Sequence, residues 1–245
     1  GPLPIAMGGT GSSTPQSALA ALGAGVRPNL LDNAYFVGGG SQQGGGQMPI
    51  NQEAQTSYTG AVGFMDRWKG NGTYASAEIN SDSVTFSGSG GTGYVNQVVK
   101  DSQSLYGKTV TISALTEDFG LLSATGVALS DPVTQNTQIL SCNFSTGQSF
   151  HLYKYSDGNF VFVIRNTNGL STKYIAAKIE EGEGQTLAYK DSTGAWHRLP
   201  QPEDGDYAGQ LAKCQAYQVV INTLDIIGVT NNATTLYANI PTPVT

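Results

Sequence analysis

The sequence predicts an all-β protein, an antiparallel β-sandwich with a short helix near each end. Short apolar stretches recur from Asn29 to Ile179, and apolar and polar residues alternate within them with the two-residue period of a β-strand. Glycine-rich turns separate these stretches, and no helical pattern intervenes. Many short strands joined by turn residues are typical of antiparallel sandwiches and barrels.

About ten short strands are expected in this region. They lie at residues 29–36, 60–68, 83–88, 94–99, 108–115, 126–130, 138–144, 150–155, 159–165 and 174–179. The residues SerAspGlyAsn at 156–159 predict a tight hairpin between two strongly alternating strands. The glycine-rich stretch at 38–46 predicts a surface loop.

The pattern changes after the last of these strands. Residues 187–199 predict a hairpin with its turn at 191–194, and residues 200–206 predict a linker. Asp206 is a suitable N-cap for a helix from Tyr207 to about Tyr217. Two further strands are expected beyond this helix.

A short helix is also predicted near the start of the chain, between a cap at Ser13 or Thr14 and a stop at Gly23. Leu19 and Leu22 are its large apolar side chains, with alanines around them. Because an isolated helix shorter than ~12–15 residues is marginal in water, we expect these leucines to contact other copies of the chain. Two alternatives remain open, namely a helix folded back on its own domain and a frayed tail.

These patterns divide the chain into three parts. We expect a neck and oligomerisation segment at 1–28, a sandwich at 29–184, and a C-terminal hairpin, helix and strands at 185–245.

Composition narrows the classes of partner. Hydrophobic residues make up 39% of the chain, enough to build a core, whereas charged residues make up only 12% against about 25% in typical domains. The net charge is −6 and no basic stripe is present, so we expect no nucleic-acid partner. No apolar run approaches ~18 residues, so we expect no membrane span. A surface rich in Gly, Ser, Thr, Asn and Gln suits an extracellular or virion protein.

The two cysteines predict buried free thiols. Cys142 alternates with apolar residues on an expected strand, and Cys214 lies on a face of the expected helix. A disulfide between them is the alternative. A GxGxxG pattern at 88–93 is followed by a strand rather than by the helix that a dinucleotide site needs, so we interpret it as a turn.

Two groups of acidic residues are candidates for carboxylate chemistry. Glu180, Glu181 and Glu183 form one group, and Glu117 and Asp118 form the other. We expect both at turns or strand ends, where solvated carboxylates are ordinary. We therefore predict no catalytic residue, no enzyme activity, no cofactor and no metal ligand set. A structural Ca²⁺ held by several of these oxygens is the alternative.

Aromatic residues are the candidates for carbohydrate contact, since the apolar C–H faces of sugars stack on aromatic rings. Tyr153 and Tyr155 are two residues apart and are expected on one strand face. Tyr189 and Trp196 are expected to pair across the hairpin at 187–199. Packing in the core or at an interface is the alternative for these side chains. Trp68 is expected in the core of the sandwich.

Sequence motifs from end to end of the chain resemble proteins of bacteriophage tails. The GlyGlyThrGly at 8–11, followed by an Ala-rich stretch and AlaLeuGly, resembles the neck segment of tail fibres. The rest resembles a jelly-roll module, similar to carbohydrate-binding modules, in phage and prophage tail proteins. The motifs are AsnLeuLeuAspAsn at 29–33, IleAsnGln at 50–52, AspArgTrp at 66–68, LeuTyrGlyLysThrValThrIleSerAla at 105–114 and AlaAlaLysIleGluGluGly at 176–182. Further matches are GlnThrLeuAla, TrpHisArgLeu, AspTyrAlaGlyGlnLeuAlaLysCysGln and AlaAsnIleProThrProVal.

The resemblance implies a homotrimeric tail-fibre or tail-tip protein of the virion. It would contact other tail proteins and attach to carbohydrate on the host cell surface without catalysis. Two alternatives stay open: a structural fibre spacer, and a lectin-like module of a bacterial surface protein or glycan-active enzyme. Ala216 stands where the family more usually has arginine or another large residue. The family pattern continues past the last motif, so we expect a truncated or processed tip.

Overall fold

The computed structural model describes residues 25–36, 49–51, 55–60, 63–217, 228–232 and 235–238, together with Gly9 and Ala18. For 228–232 and 235–238 it describes the backbone alone. Ala18 is helical. The rest of the predicted neck helix, including Leu19 and Leu22, lies outside the described residues, as does the predicted loop at 38–46.

Two antiparallel sheets pack against each other around one large core. Sheet I has six strands in the order β1-β3-β4-β11-β6-β7, and sheet II has five in the order β2-β5-β10-β9-β8. A 3-10 helix spans Ser102–Leu105, and helix α1 spans Tyr207–Gln215. The strands are β1 (Ser57–Thr59), β2 (Lys69–Asn71), β3 (Ala75–Ile79), β4 (Val84–Gly88), β5 (Gly93–Val98), β6 (Thr109–Thr116), β7 (Gly120–Val127), β8 (Thr137–Ser145), β9 (Gln148–Lys154), β10 (Phe160–Asn166), β11 (Ser171–Glu181), β12 (Ala188–Lys190), β13 (Trp196–Arg198), β14 (Gly228–Asn232) and β15 (Thr235–Ala238).

This arrangement confirms the predicted all-β antiparallel sandwich, but three expected strands differ. The strand expected at 60–68 is wrong, because this stretch ends in a turn where the Trp68 N–H donates to the Met65 carbonyl at 3.0 Å. Residues 29–36 form only one bridge, from Tyr35 to Ala176 of β11. Strand β7 occupies Gly120–Val127 rather than 126–130.

Strands β1 and β3 were not predicted from the sequence. Strand β1 is only three residues long, and β3 turns the small side chains of Ala75 and Ala77 toward the core. Neither carries the run of large apolar residues that marks a half-buried strand. Their place in sheet I comes from pairing between β1, β3 and β4.

The core lies between the sheets and contains a group of aromatic rings. Trp68 is 1% exposed, and its ring lies 5.4 Å from Phe36, 5.9 Å from Phe86 and 6.2 Å from Phe162 between centroids. The indole N–H donates to the Asn33 carbonyl at 2.9 Å, so its polar atom is satisfied although buried. The core position expected for Trp68 is confirmed.

The C-terminal hairpin and helix are confirmed. The Gly194 N–H donates to the Asp191 carbonyl at 3.1 Å and closes the hairpin turn. The Asp206 carboxylate accepts from the Gly209 N–H at 3.0 Å and caps α1. Strands β14 and β15 pair as the two expected strands beyond the helix.

Both cysteines are free and buried, as the sequence predicted. Cys142 faces the main core, whereas Cys214 of α1 packs with Ile50 and Leu211. Burial raises the pKa of each thiol to about 12. No helix of the described residues is long and apolar enough to cross a membrane. The proposed division of the chain at residues 28 and 184 stays a prediction.

Candidate ligand-binding face

The outer face of sheet I is covered by the segment that follows β11. Leu187 and Ala188 pack there against Leu115 of β6 and Ala176 of β11, together with Tyr35. Both faces of sheet I therefore pack against other parts of the chain.

The outer face of sheet II carries a different set of side chains. Along β9, Phe150 and Leu152 lie in the core, and along β10 the same holds for Phe162 and Ile164. Because successive side chains of a strand point to opposite faces, the residues between them face outward. The outward positions of all five strands form a surface that we call the polar face.

Strand register arranges the polar face in three rows that run across the sheet. The first row contains Asn71, Tyr94, Arg165, Ser149 and Asn143. The second contains Lys69, Asn96, Val163, His151 and Ser141. The third contains Val98, Val161, Tyr153 and Gln138. Amides, hydroxyls and cations thus lie beside aromatic rings on one surface.

His151 lies near the centre of this face and has an unsatisfied ring nitrogen. Its Nε2 lies 2.8 Å from the Ser149 hydroxyl, and its ring lies 5.8 Å from that of Tyr153. The residue is 7% exposed, yet its buried Nδ1 has no hydrogen-bond partner among the described residues. Burial, and then the charge of Arg165, lower the pKa of this imidazole below its ordinary value. A buried polar atom without a partner is costly unless something outside the chain supplies one.

Arg165 is the cation next to this histidine. It is half-buried and lies opposite Ser149 on β9 and Tyr94 on β5. Within the described part of the chain, no carboxylate forms an ion pair with it. The protein's other arginines all have such a partner: Arg27 with Glu180, Arg67 with Asp32 and Arg198 with Asp204.

Aromatic and apolar groups complete the face. Tyr94 is 36% exposed and Val98 is 45% exposed, both on β5. The Tyr153 hydroxyl donates to the Gln138 side-chain carbonyl at 3.3 Å. A sugar ring can stack on such tyrosines while the neighbouring amides and hydroxyls bond to its hydroxyl groups.

The four predicted ligand residues separate into two groups. Tyr153 lies on the polar face, and Tyr155 is the first residue beyond the end of β9. Burial raises the pKa of Tyr155, and Tyr153 contributes to this shift, so the two phenols lie near one another. Their role in ligand binding stays a prediction.

Tyr189 and Trp196 lie instead on the hairpin of β12 and β13, and the pairing predicted between them is wrong. The register places Tyr189 opposite His197, and Lys190 opposite Trp196. Neighbouring pairs of a ladder project to opposite faces, so the two rings are on different sides of the hairpin. Tyr189 stacks on His197 with centroids 5.4 Å apart, and the Lys190 ammonium lies 5.4 Å from the Trp196 ring.

The candidate carboxylates belong to strand β11 and the residues just after it, and to the turn after β6 in sheet I, not to the strands of sheet II. The sequence predicted a solvated Glu180. This residue is buried instead, because the segment after β11 covers it. Glu181 pairs with Lys108 at 2.9 Å, and Glu117 pairs with Lys173 at 3.2 Å. The residues that the structure describes contain no group of three His, Cys, Asp or Glu side chains able to hold a metal ion. The absence of catalysis, the absence of a cofactor and the alternative of a structural Ca²⁺ stay predictions.

Sequence reasoning missed His151, Arg165, Tyr94 and Asn96. Alternation along residues 150–155 and 159–165 already indicated that His151 and Arg165 face away from the large apolar residues. The alternation does not predict the strand pairing that brings β5 beside β10. The GxGxxG pattern at 88–93 forms the connection from β4 to β5, as interpreted from the sequence.

No protein-family model matches this chain, and no curated protein matches it either.

Proposed function

We propose that this chain is a non-catalytic attachment protein of a bacteriophage tail fibre or tail tip that binds host cell-surface carbohydrate. The polar face of sheet II is the proposed binding surface. The observation that carries the proposal is the combination of Tyr94 and Tyr153 with the unsatisfied Nδ1 of His151. The place within a tail, and hence in a virion outside the cell, rests on the resemblance of the sequence motifs.

The chemistry of the polar face suits a saccharide. Its side chains offer hydrogen-bond donors and acceptors from Asn96, Asn143 and Ser141 around the two tyrosines. A sugar needs both, because its hydroxyl groups require polar partners and its C–H faces require an apolar surface. Contacts of this kind on an open sheet are individually weak.

Assembly would raise the strength of such contacts. Three copies that engage one cell surface together bind more tightly than a single copy when their spacing matches the surface. The neck at 1–28, with Leu19 and Leu22, is the proposed trimer contact, and other tail proteins are the proposed further partners.

Binding of purified full chain to a glycan array and to whole bacterial cells tests the proposed function. We expect Tyr153→Ala to lower the affinity about tenfold, as loss of a central aromatic contact does. Tyr189→Ala, which truncates a similar ring on the hairpin, is the matched control and should bind as the parent does. Absence of binding to every glycan and every strain would favour the spacer alternative.

Light scattering tests the assembly separately. The full chain should have three times the mass of one chain, which is 25.6 kDa, and deletion of residues 3–27 should lower the mass or the stability of the trimer. A full chain that stays monomeric at micromolar concentration would contradict the proposed trimer without bearing on the polar face.

A further inference from the structure

We infer that the ligand of the polar face is an anionic glycan, whose carboxylate or phosphate group binds between Arg165 and His151. This inference rests on the proposed function, since it names the chemistry of the ligand for the same surface. Four observations support it.

The first observation is the charge of sheet II. The protein has a net charge of −6, with 18 acidic residues. None of the five strands of sheet II contains an aspartate or a glutamate, whereas their outward positions include Lys69 and Arg165. The polar face is therefore a cationic surface on an acidic protein. Such a surface repels anions less than the rest of the molecule and attracts them at short range.

The second observation is the unused guanidinium of Arg165. Every other arginine of the chain is paired with a carboxylate at 2.8–3.0 Å. A guanidinium presents a planar pair of N–H groups that matches a carboxylate or phosphate in a bidentate arrangement. Because Arg165 is half-buried without such a partner, an anion from outside the chain would supply the missing ion pair for its guanidinium.

The third observation is the position of His151. Its opposite neighbours are Val163 on β10 and Ser141 on β8, and its neighbours on the same face of β9 are Ser149 and Tyr153. Burial lowers the pKa of His151, and the charge of Arg165 adds to this shift. The free nitrogen is Nδ1, which as an N–H can donate to an anionic oxygen.

The fourth observation is the spacing of the two groups. Arg165 lies opposite Ser149, and His151 is the next outward residue of β9, so the two are diagonal neighbours. Diagonal positions of an antiparallel pair are about 7–8 Å apart. At this spacing of the backbone positions, the side chains of both residues can reach the same carboxylate or phosphate through hydrogen bonds of about 2.9 Å.

A glycan array that prints neutral sugars beside the same sugars carrying a carboxylate or a phosphate tests the inference. We expect the anionic member of a pair to bind at least about tenfold more tightly. The carboxylate and phosphate arms show which of the two anions is preferred. Arg165→Gln should abolish the preference, and Arg165→Lys should restore it in part. Lys213→Gln removes the same charge from an exposed position on α1 and should leave it unchanged.

The protein could bind neutral and anionic sugars equally well and still lose that binding in Tyr153→Ala. This result would contradict the inference of an anionic ligand but would agree with the proposed function. An anionic preference that survives in Arg165→Gln would overturn the assignment to this site. A chain that binds no glycan would overturn the proposed function itself, and the inference with it.

Discussion

The outer faces of the two sheets treat their charged groups in opposite ways. On sheet I, Glu180 of β11 is fully buried and accepts from Arg27 at 2.9 Å and from the Thr186 N–H at 2.7 Å. On sheet II, the buried Nδ1 of His151 has no partner among the described residues, and Arg165 forms no ion pair with a described carboxylate. The charged groups of the first face have their partners within the chain, although the buried Ser113 hydroxyl on that face has none among the described residues. The second face has a cation without a carboxylate partner, which is why we propose it as the ligand surface.

The network on sheet I extends beyond Glu180. The Lys178 ammonium is also buried, lies 3.5 Å from Glu180, and donates to Gln201 at 2.7 Å. Burial lowers the pKa of Lys178, although Glu180 opposes the shift. The Tyr35 hydroxyl donates to Glu203 at 3.0 Å at the edge of the same cluster. These contacts hold the segment 185–203 on the sandwich, which indicates a structural role for this face.

The largest expected effect is on stability. Glu180→Gln leaves Arg27 and Lys178 without their carboxylate, and breaking a buried pair costs about 3–5 kcal/mol. Urea unfolding should show this loss. Glu181→Gln is the matched control, because its pair with Lys108 is exposed and contributes about 0–1 kcal/mol. Equal midpoints for the two variants would mean that sheet I does not depend on its buried charges.

The next effect is on binding without a matching effect on stability. Ser141→Asp places a carboxylate at a partly exposed position opposite His151 in the second row, where it would repel an anionic ligand. We expect it to lower the affinity for anionic glycans tenfold or more, which corresponds to like-charge repulsion of about 1.4 kcal/mol. Ser141→Asn, which introduces a neutral side chain of the same shape as Asp, is the control. If both variants bind equally well, charge on the polar face does not determine the ligand.

A smaller effect is expected from pH. Burial and Arg165 hold the pKa of His151 below its ordinary value of 6.5, so this imidazole is neutral in the free protein at pH 7. A bound anion favours the protonated form, and affinity should therefore rise as pH falls from 7.5 to 5.5, by about three- to tenfold. Titration calorimetry at both pH values measures this change. His151→Asn should bind with little dependence on pH, and an unchanged pH dependence in that variant would assign it to another group.

The smallest effect concerns the rim of the face. Lys69 is exposed on β2, at the end of the second row. Lys69→Gln should lower the affinity less than about threefold and act mainly on the association rate and its salt dependence. Surface plasmon resonance at two salt concentrations separates the two rates. A large rise in the dissociation rate would place Lys69 in the centre of the site instead.

Apart from β7, the sequence predicted the long strands of the sandwich well, because their patterns are local. Strands β8, β9 and β10 alternate strongly, and turn residues at 156–159 join the last two. Residues 29–36 were less predictable, since Asn33 has a positive φ of 50° and their backbone partners lie far away on β11. The burial of Glu180 depends likewise on a later segment that covers it.

The candidate site was predictable only in part for the same reason. Tyr153 is recognisable as an outward aromatic residue of its own strand. Its position relative to Arg165 and Tyr94 depends on which strands are neighbours in sheet II. Pairing between distant segments cannot be predicted from the local pattern. The predicted pairing of Tyr189 with Trp196 failed by one residue of register, which moves a side chain to the other face.

The central claim is that sheet II, rather than the hairpin or sheet I, presents the ligand surface. The most direct measurement compares two double variants of the full chain for affinity to the best-binding glycan of the array. Tyr153→Ala with Arg165→Gln should lose binding by about a hundredfold, whereas Tyr189→Ala with Trp196→Ala should bind as the parent does. Loss of binding in the hairpin variant alone would contradict the account and move the site to β12 and β13.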